Sequence, residues 1–175
     1  MAEPGNMAGA RAALARAFSF ETVTRATARE ALIAGVGGTA AIGVLALCAR
    51  LAVTPLIIAP FGASCVLLFT VPASPLAQPR NVIGGHVLSA LVGLVVVALI
   101  GHSPIAMAVG VGLAIAVMRL TGTVHPPAGA DPIVIALAAA PPWWFFAVPA
   151  GLGAAILVAC AILYHRLVSG LRYPA

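Results

Sequence analysis

The segment TVHPPAGADP, residues 123–132, holds a histidine, a carboxylate, three prolines and a glycine between two apolar runs. Proline lacks a backbone N–H and glycine has little helical preference, so this stretch does not continue a regular helix. Its flanks, IAMAVGVGLAIAVMRL before it and IVIALAAA after it, are apolar enough for the interior of a bilayer. A break in such surroundings leaves backbone N–H and C=O groups unpaired. Hydrocarbon does not tolerate that unless the break is buried in protein or lines a wet cavity. Other helices must therefore wrap around this segment, and the fold follows from that demand.

The whole chain supports a membrane setting. Of its 175 residues, 62% are hydrophobic and 7% charged, and the mean hydropathy is +1.13. A soluble domain carries about 25% charged residues. The formal charge of +5 comes from nine arginines. Most of them flank apolar runs or lie in the N-terminal arm, which reads as a topology signal rather than a nucleic-acid surface. No nucleic-acid motif accompanies them. Cys48, Cys65 and Cys160 lie inside apolar segments without CxxC spacing and read as packed thiols. Residues 1–30 lack the continuous apolar core of a signal peptide. ARAALARAF reads instead as an arm on the membrane surface, and Thr27 with Glu30 as a capping box that starts the first membrane helix.

Four segments are expected to span: Ala31–Ala49, Val82–Ile100, Ile105–Leu120 and Phe145–Tyr164. Two apolar but interrupted segments lie between them, Leu56–Val71 and Val124–Ala140. A gapless shift of 67 residues superposes these two. Pro60 falls on Pro127, Gly62 on Gly129, Ala63 on Ala130 and Ser64 on Asp131; outside them Gly43 meets Gly110, Pro75 meets Pro142 and Gly84 meets Gly151. The matches favour the residues with positional meaning. The expected fold is all-α and polytopic, with two related repeats of helix, broken segment, helix: four full spans plus two short broken segments. The divisions are a cytoplasmic arm (1–30), repeats at 31–100 and 101–167, and a tail (168–175). If the broken segments do not cross, six arginines lie inside and three outside; if they cross, eight lie inside and one outside. The positive-inside rule favours the second arrangement, whereas the brevity and polarity of Val124–Ala140 favour the first. Both put the termini in the cytoplasm.

Asp131 followed by Pro132 reads as an N-cap and first helical position, and Ser64 opens CVLLFTV in the same way. Each repeat is thus expected to present a half-helix N-terminus, whose free amides and dipole attract anions. Paired broken segments in corresponding positions point to a transporter's central site. The candidate binding residues are Phe61, Gly62, Ala63, Ser64, His86, His125, Gly129, Ala130 and Asp131. Backbone amides are expected to hold the anion and His125 to give a hydrogen bond or a proton. Plainer roles exist for several of these. Asp131 can be only a structural cap, His125 can bond a carbonyl freed by the break, and Gly84 and Gly85 can serve helix packing beside His86. His102 and His165 are expected at helix ends near the interface, and PPWWFF as an aromatic belt. A divalent cation on His125, Asp131 and His86 is an alternative, without HxxxH, CxxC or paired-carboxylate spacing. No GxSxG, HExxH or nucleophile–base pairing suggests an enzyme, and no cofactor is implied.

HPPAGAD after a hydrophobic helix, preceded by APFGAS and SPLAQPRNVIGGH, resembles the HPP family of integral membrane proteins over roughly Ala31 to Leu167. The resemblance implies four transmembrane helices and, from plastid and cyanobacterial members, transport of nitrite. Some members carry C-terminal CBS domains, and none is expected here. The expectation is therefore a transporter or channel for a small inorganic anion, nitrite first, in a bacterial inner membrane. A non-transporting structural or sensory subunit is the alternative. Asp131 opposes an anion, so it is either spent on its own helix or protonated during transport. Runs such as GVGGTAAIG and GLGAA permit close packing, and a homodimer or higher homo-oligomer surrounded by lipid is expected.

Overall fold

The computed structural model describes Gly9 and residues 26–175, so the arm expected at ARAALARAF lies outside the described residues. Helix α1 (Ala28–Ala52) starts as expected, with Thr27 and Glu30 in a reciprocal capping box. The remaining elements are α2 (Pro60–Thr70), a 3₁₀ turn at Pro75–Ala77, α3 (Pro79–Ile100), α4 (Pro104–Thr121), a 3₁₀ segment at Pro126–Ala130 and α5 (Asp131–Leu137). The last is α6 (Trp143–Ser169), a continuous helix with π-type turns near both ends. Among the described residues there is no strand. Four helices, α1, α3, α4 and α6, are long and apolar enough to cross a membrane. Proline opens α2, α3 and α4, where its missing N–H is not needed.

Helices α2 and α5 are short. At 1.5 Å per residue they extend about 16 Å and about 10 Å, against a hydrocarbon core of about 30 Å. Named contacts nevertheless show that each broken segment runs from one end of the bundle to the other. Tyr164 at the end of α6 donates to Ile33 O near the start of α1, and His165 donates to Leu68 O near the end of α2. Arg80 at the start of α3 donates to Thr121 O at the end of α4. These residues define a first end. At the second, His102 in the α3–α4 turn donates to Ala136 O near the end of α5. Hence α1, α3 and α5 run away from the first end, while α2, α4 and α6 run toward it. Each element of the second repeat is antiparallel to its counterpart in the first. Each broken segment runs the length of the bundle as a non-helical half followed by a half-helix, and the repeats are inverted.

Close approach between the repeats depends on glycine. Pro132 is wedged between α3 and α4: a Cβ on Gly93 would lie 2.8 Å from its Cα, and one on Gly110 2.8 Å from its Cβ. Gly85 lies under His125, where a Cβ would stand 2.8 Å from the His125 Cβ. Gly153 of α6 lies against the Phe61 ring and Leu56 O. Large side chains thus interlock with gaps left on the opposite repeat. The core they bound is Leu45, Phe61, Leu68, Ile135 and Leu157, all fully buried.

Candidate functional site

Ser64, His86, His125 and Asp131 are completely buried and joined in one chain of contacts. The Asp131 Oδ2 lies 2.8 Å from His86 Nδ1, and His86 Nε2 lies 2.9 Å from Ser64 Oγ. The same Oγ lies 2.9 Å from His125 Nε2, and His125 Nδ1 donates to Leu76 O at 2.7 Å. Ser64 comes from α2, His86 from α3, and His125 and Asp131 from either end of the 3₁₀ segment of the second repeat. His86 is the eighth residue of α3, about 10 Å in from the first end. The Phe61 ring closes one side, edge-on to His86 at 5.0 Å, and the two imidazole centroids are 5.1 Å apart.

Surrounding polar groups hold the break in place. Ser89, one turn beyond His86, donates to Ala128 O, and Asn81 donates to Val124 O at 2.9 Å. Carbonyls freed by the prolines thus find partners on α3, as burial requires. Beyond α6, Tyr173 donates to Ala77 O at 2.9 Å and steadies the turn that supplies Leu76 O. Burial raises the Tyr173 phenol above its usual value, so it remains a donor.

Several expectations need correction. Asp131 is the first residue of α5 rather than its N-cap; Ala130 holds that place and makes no side-chain cap. The Asp131 carboxylate is instead bonded to His86, whose imidazole offers a charge-assisted partner inside the buried site. Ser64 is the fifth residue of α2 and likewise caps nothing. The first amides of α2 are also occupied, Phe61 N by Ile58 O at 3.0 Å and Gly62 N by Ala59 O at 3.2 Å. His165, expected at the interface, is buried and bonded to Leu68 O and Ser169.

Of the sequence candidates, the structure brings together Phe61, Ser64, His86, His125 and Asp131. Gly62 and Ala63 are exposed on the outer side of α2, and Gly129 and Ala130 are half-buried. A groove of about 1190 Å³ runs between α1 and α2 past Gly38, Gly62 and Cys65, on the side of α2 away from Ser64. Asp131 Oδ1 is buried without a hydrogen-bond partner. Ser89 and Leu76 O escaped sequence reasoning. Ser89 had a signal, a hydroxyl one turn from a histidine in an apolar helix; a backbone carbonyl has none. Among the described residues no group of three or more His, Cys, Asp or Glu is placed to hold a metal ion.

Within the polar chain the repeat relation pairs Ser64 with Asp131 and leaves the two histidines without polar counterparts. Under the same shift of 67 residues, His86 corresponds to Gly153, His125 to Ile58 and Phe61 to Ala128. The polar chain draws one member from the first broken segment, two from the second and one from α3, so it is complete only when the repeats interlock.

A family profile described as HPP, transmembrane region, matches residues 23–174. Two transmembrane proteins of Dictyostelium discoideum are similar to the chain. One is 40% identical over 125 residues, which is 67% of this chain and 44% of that protein. The other is 36% identical over 128 residues, 69% of this chain and 41% of that protein. The chain thus spans less than half the length of the curated relatives it matches. No solved structure matches it. The chain belongs to the HPP transmembrane family.

Proposed function

We propose that this HPP-family membrane protein carries a small inorganic anion across the bilayer, with nitrite the first candidate. The observation that carries the reading is the meeting of two oppositely directed half-helices, α2 and α5, at a buried chain of ionisable side chains. Inverted repeats with broken helices at their interface are the architecture of secondary transporters. Ionisable groups inside a membrane are costly and mark function by default. The two imidazoles supply N–H donors and, when protonated, positive charge suited to a small anion. The described arrangement is a closed one, since every polar atom of the chain except Asp131 Oδ1 is engaged within the protein. Loading requires the repeats to part at Ser64.

Arg29, Arg80, Arg119, Arg166 and Arg172 belong to the first end and Arg50 to the second. The positive-inside rule then places the first end in the cytoplasm, of a bacterial inner membrane on the sequence expectation. The small-residue faces of α1 support a homodimer. Purified protein in vesicles, with external nitrite and a trapped nitrite-reactive dye, tests the function. Uptake above protein-free vesicles is expected. No protein-dependent flux of nitrite or another small anion would leave the structural or sensory reading in its place.

A further inference from the structure

The hydrogen-bond partners at the two ends of the polar chain restrict where its protons can be. Leu76 O only accepts, so His125 Nδ1 carries a proton. A neutral His125 then has a bare Nε2, and the Ser64 hydroxyl donates to it at 2.9 Å in preference to Pro60 O at 3.4 Å, since the alternative leaves that nitrogen without a proton. Ser64 Oγ is left as the acceptor for His86 Nε2–H. His86 Nδ1 faces Asp131 Oδ2, and one proton lies between them, on the ring or on the carboxyl. The same number of protons admits a second pattern. His86 Nε2 passes its proton to Ser64 Oγ while the Ser64 hydroxyl proton moves to His125 Nε2. The proton shared with Asp131 settles on His86 Nδ1. His125 is now an imidazolium, Ser64 donates to His86, and Asp131 is a carboxylate accepting from His86. No proton is gained or lost, and every polar contact is kept with its direction reversed about Ser64.

We infer that Asp131, His86, Ser64 and His125 form a relay that moves one proton between the Asp131–His86 pair and His125, with the Ser64 hydroxyl as its reversing element. The relay deepens the anion-carrier reading and rests on it for its driver: an anion beside His125 stabilises the second pattern, which links loading to proton movement. Asp131 Oδ1, buried without a partner, gives the proton a second place on the carboxyl. Titratable groups on the surrounding elements lie outside the chain. Cys65 on α2 follows Ser64, Arg80 on α3 is engaged with Thr121 O, Arg119 is in the last turn of α4, and His165 on α6 is bonded to Leu68 O. None is hydrogen-bonded to the four relay residues.

Two measurements on the full chain test this. Vesicles with an internal pH dye and an inward nitrite gradient should acidify faster than protein-free vesicles, which report passive nitrous acid. Ser64→Ala and Asp131→Asn should return acidification to the protein-free rate, and Ser64→Thr should restore part of it. In Asp131→Asn the amide donates to His86 Nδ1, which locks the first pattern with His125 neutral. Nitrogen NMR of labelled histidines in bilayers reads the relay without any cargo. At fixed pH, across a temperature series that shifts the balance of the two patterns, His125 Nε2 should gain its proton in the same step that moves the His86 proton from Nε2 to Nδ1. The two rings should respond independently in Ser64→Ala. Nitrite flux without proton flux, or a His125 fixed as the neutral Nδ1–H form with and without nitrite, would overturn the relay. Absence of nitrite flux with the linked histidine response intact would overturn the choice of cargo and leave the relay standing.

Discussion

The carbonyl oxygen of Leu76 lies 2.7 Å from Nδ1 of His125 and so fixes the tautomer of a buried imidazole. An unsatisfied buried acceptor costs about 1–3 kcal/mol. His125→Asn keeps a donor near the Nδ1 position, whereas His125→Leu keeps none. Thermal unfolding in mild detergent should rank wild type above His125→Asn and His125→Asn above His125→Leu. Equal midpoints for the two variants would show that the Leu76 contact does not support the fold.

Glycines that look alike in the sequence differ in what surrounds them. A Cβ on Gly153 would collide with the Phe61 ring and stand 2.9 Å from Leu56 O, whereas one on Gly62 meets nothing within 4 Å. Overpacking of a filled core costs about 1–3 kcal/mol. Gly153→Ala should lower stability by that order and push Phe61 off His86, and Gly62→Ala should leave the unfolding midpoint unchanged. A tolerated Gly153→Ala would mean that α6 does not approach Leu56 as described.

The inverted arrangement places Ala73 and Ala140 at opposite ends of the bundle, both exposed. If the broken segments turned back without crossing, both would lie at the same end. In a cysteine-free background, Ala73→Cys should react with an impermeant maleimide from the side of the C-terminal tail. Ala140→Cys should react from the other side. Labelling of both from one side would exclude six crossings.

Ser89 donates to Ala128 O in the buried break, while Thr70 bonds back to Val66 O at an exposed position. Ser89→Ala removes the donor and leaves a buried carbonyl, at about 1–3 kcal/mol. Thr70→Ala leaves its helix carbonyl bonded within the ladder and should change stability little. Parallel melting curves check the contrast.

Much of this molecule is legible in one dimension. Long apolar runs delimit α1, α3, α4 and α6 to within a few residues, because hydrocarbon requires each span to satisfy its own backbone. The register between Pro60–Ser64 and Pro127–Asp131 exposes the repeats, since proline and glycine mark where backbone departs from helix. Five of the nine candidate residues meet at the polar chain. The capping roles assigned to Ser64 and Asp131 were not correct. A local pattern weighs only neighbouring amides, and a buried hydroxyl or carboxylate goes to the strongest partner that tertiary packing brings near.

The amino-acid sequence by itself determined the solvent, the spans and the paired breaks, because each follows from local composition and spacing, and its three motifs carried the resemblance to the family. Tertiary structure alone decided that the breaks run the length of the bundle, that the repeats are antiparallel, and that His86 stands between Ser64 and Asp131. Those relations join residues 22 and 45 positions apart. They exist only because glycines on one repeat admit the bulk of the other, and a sequence pattern carries no record of which gap receives which side chain.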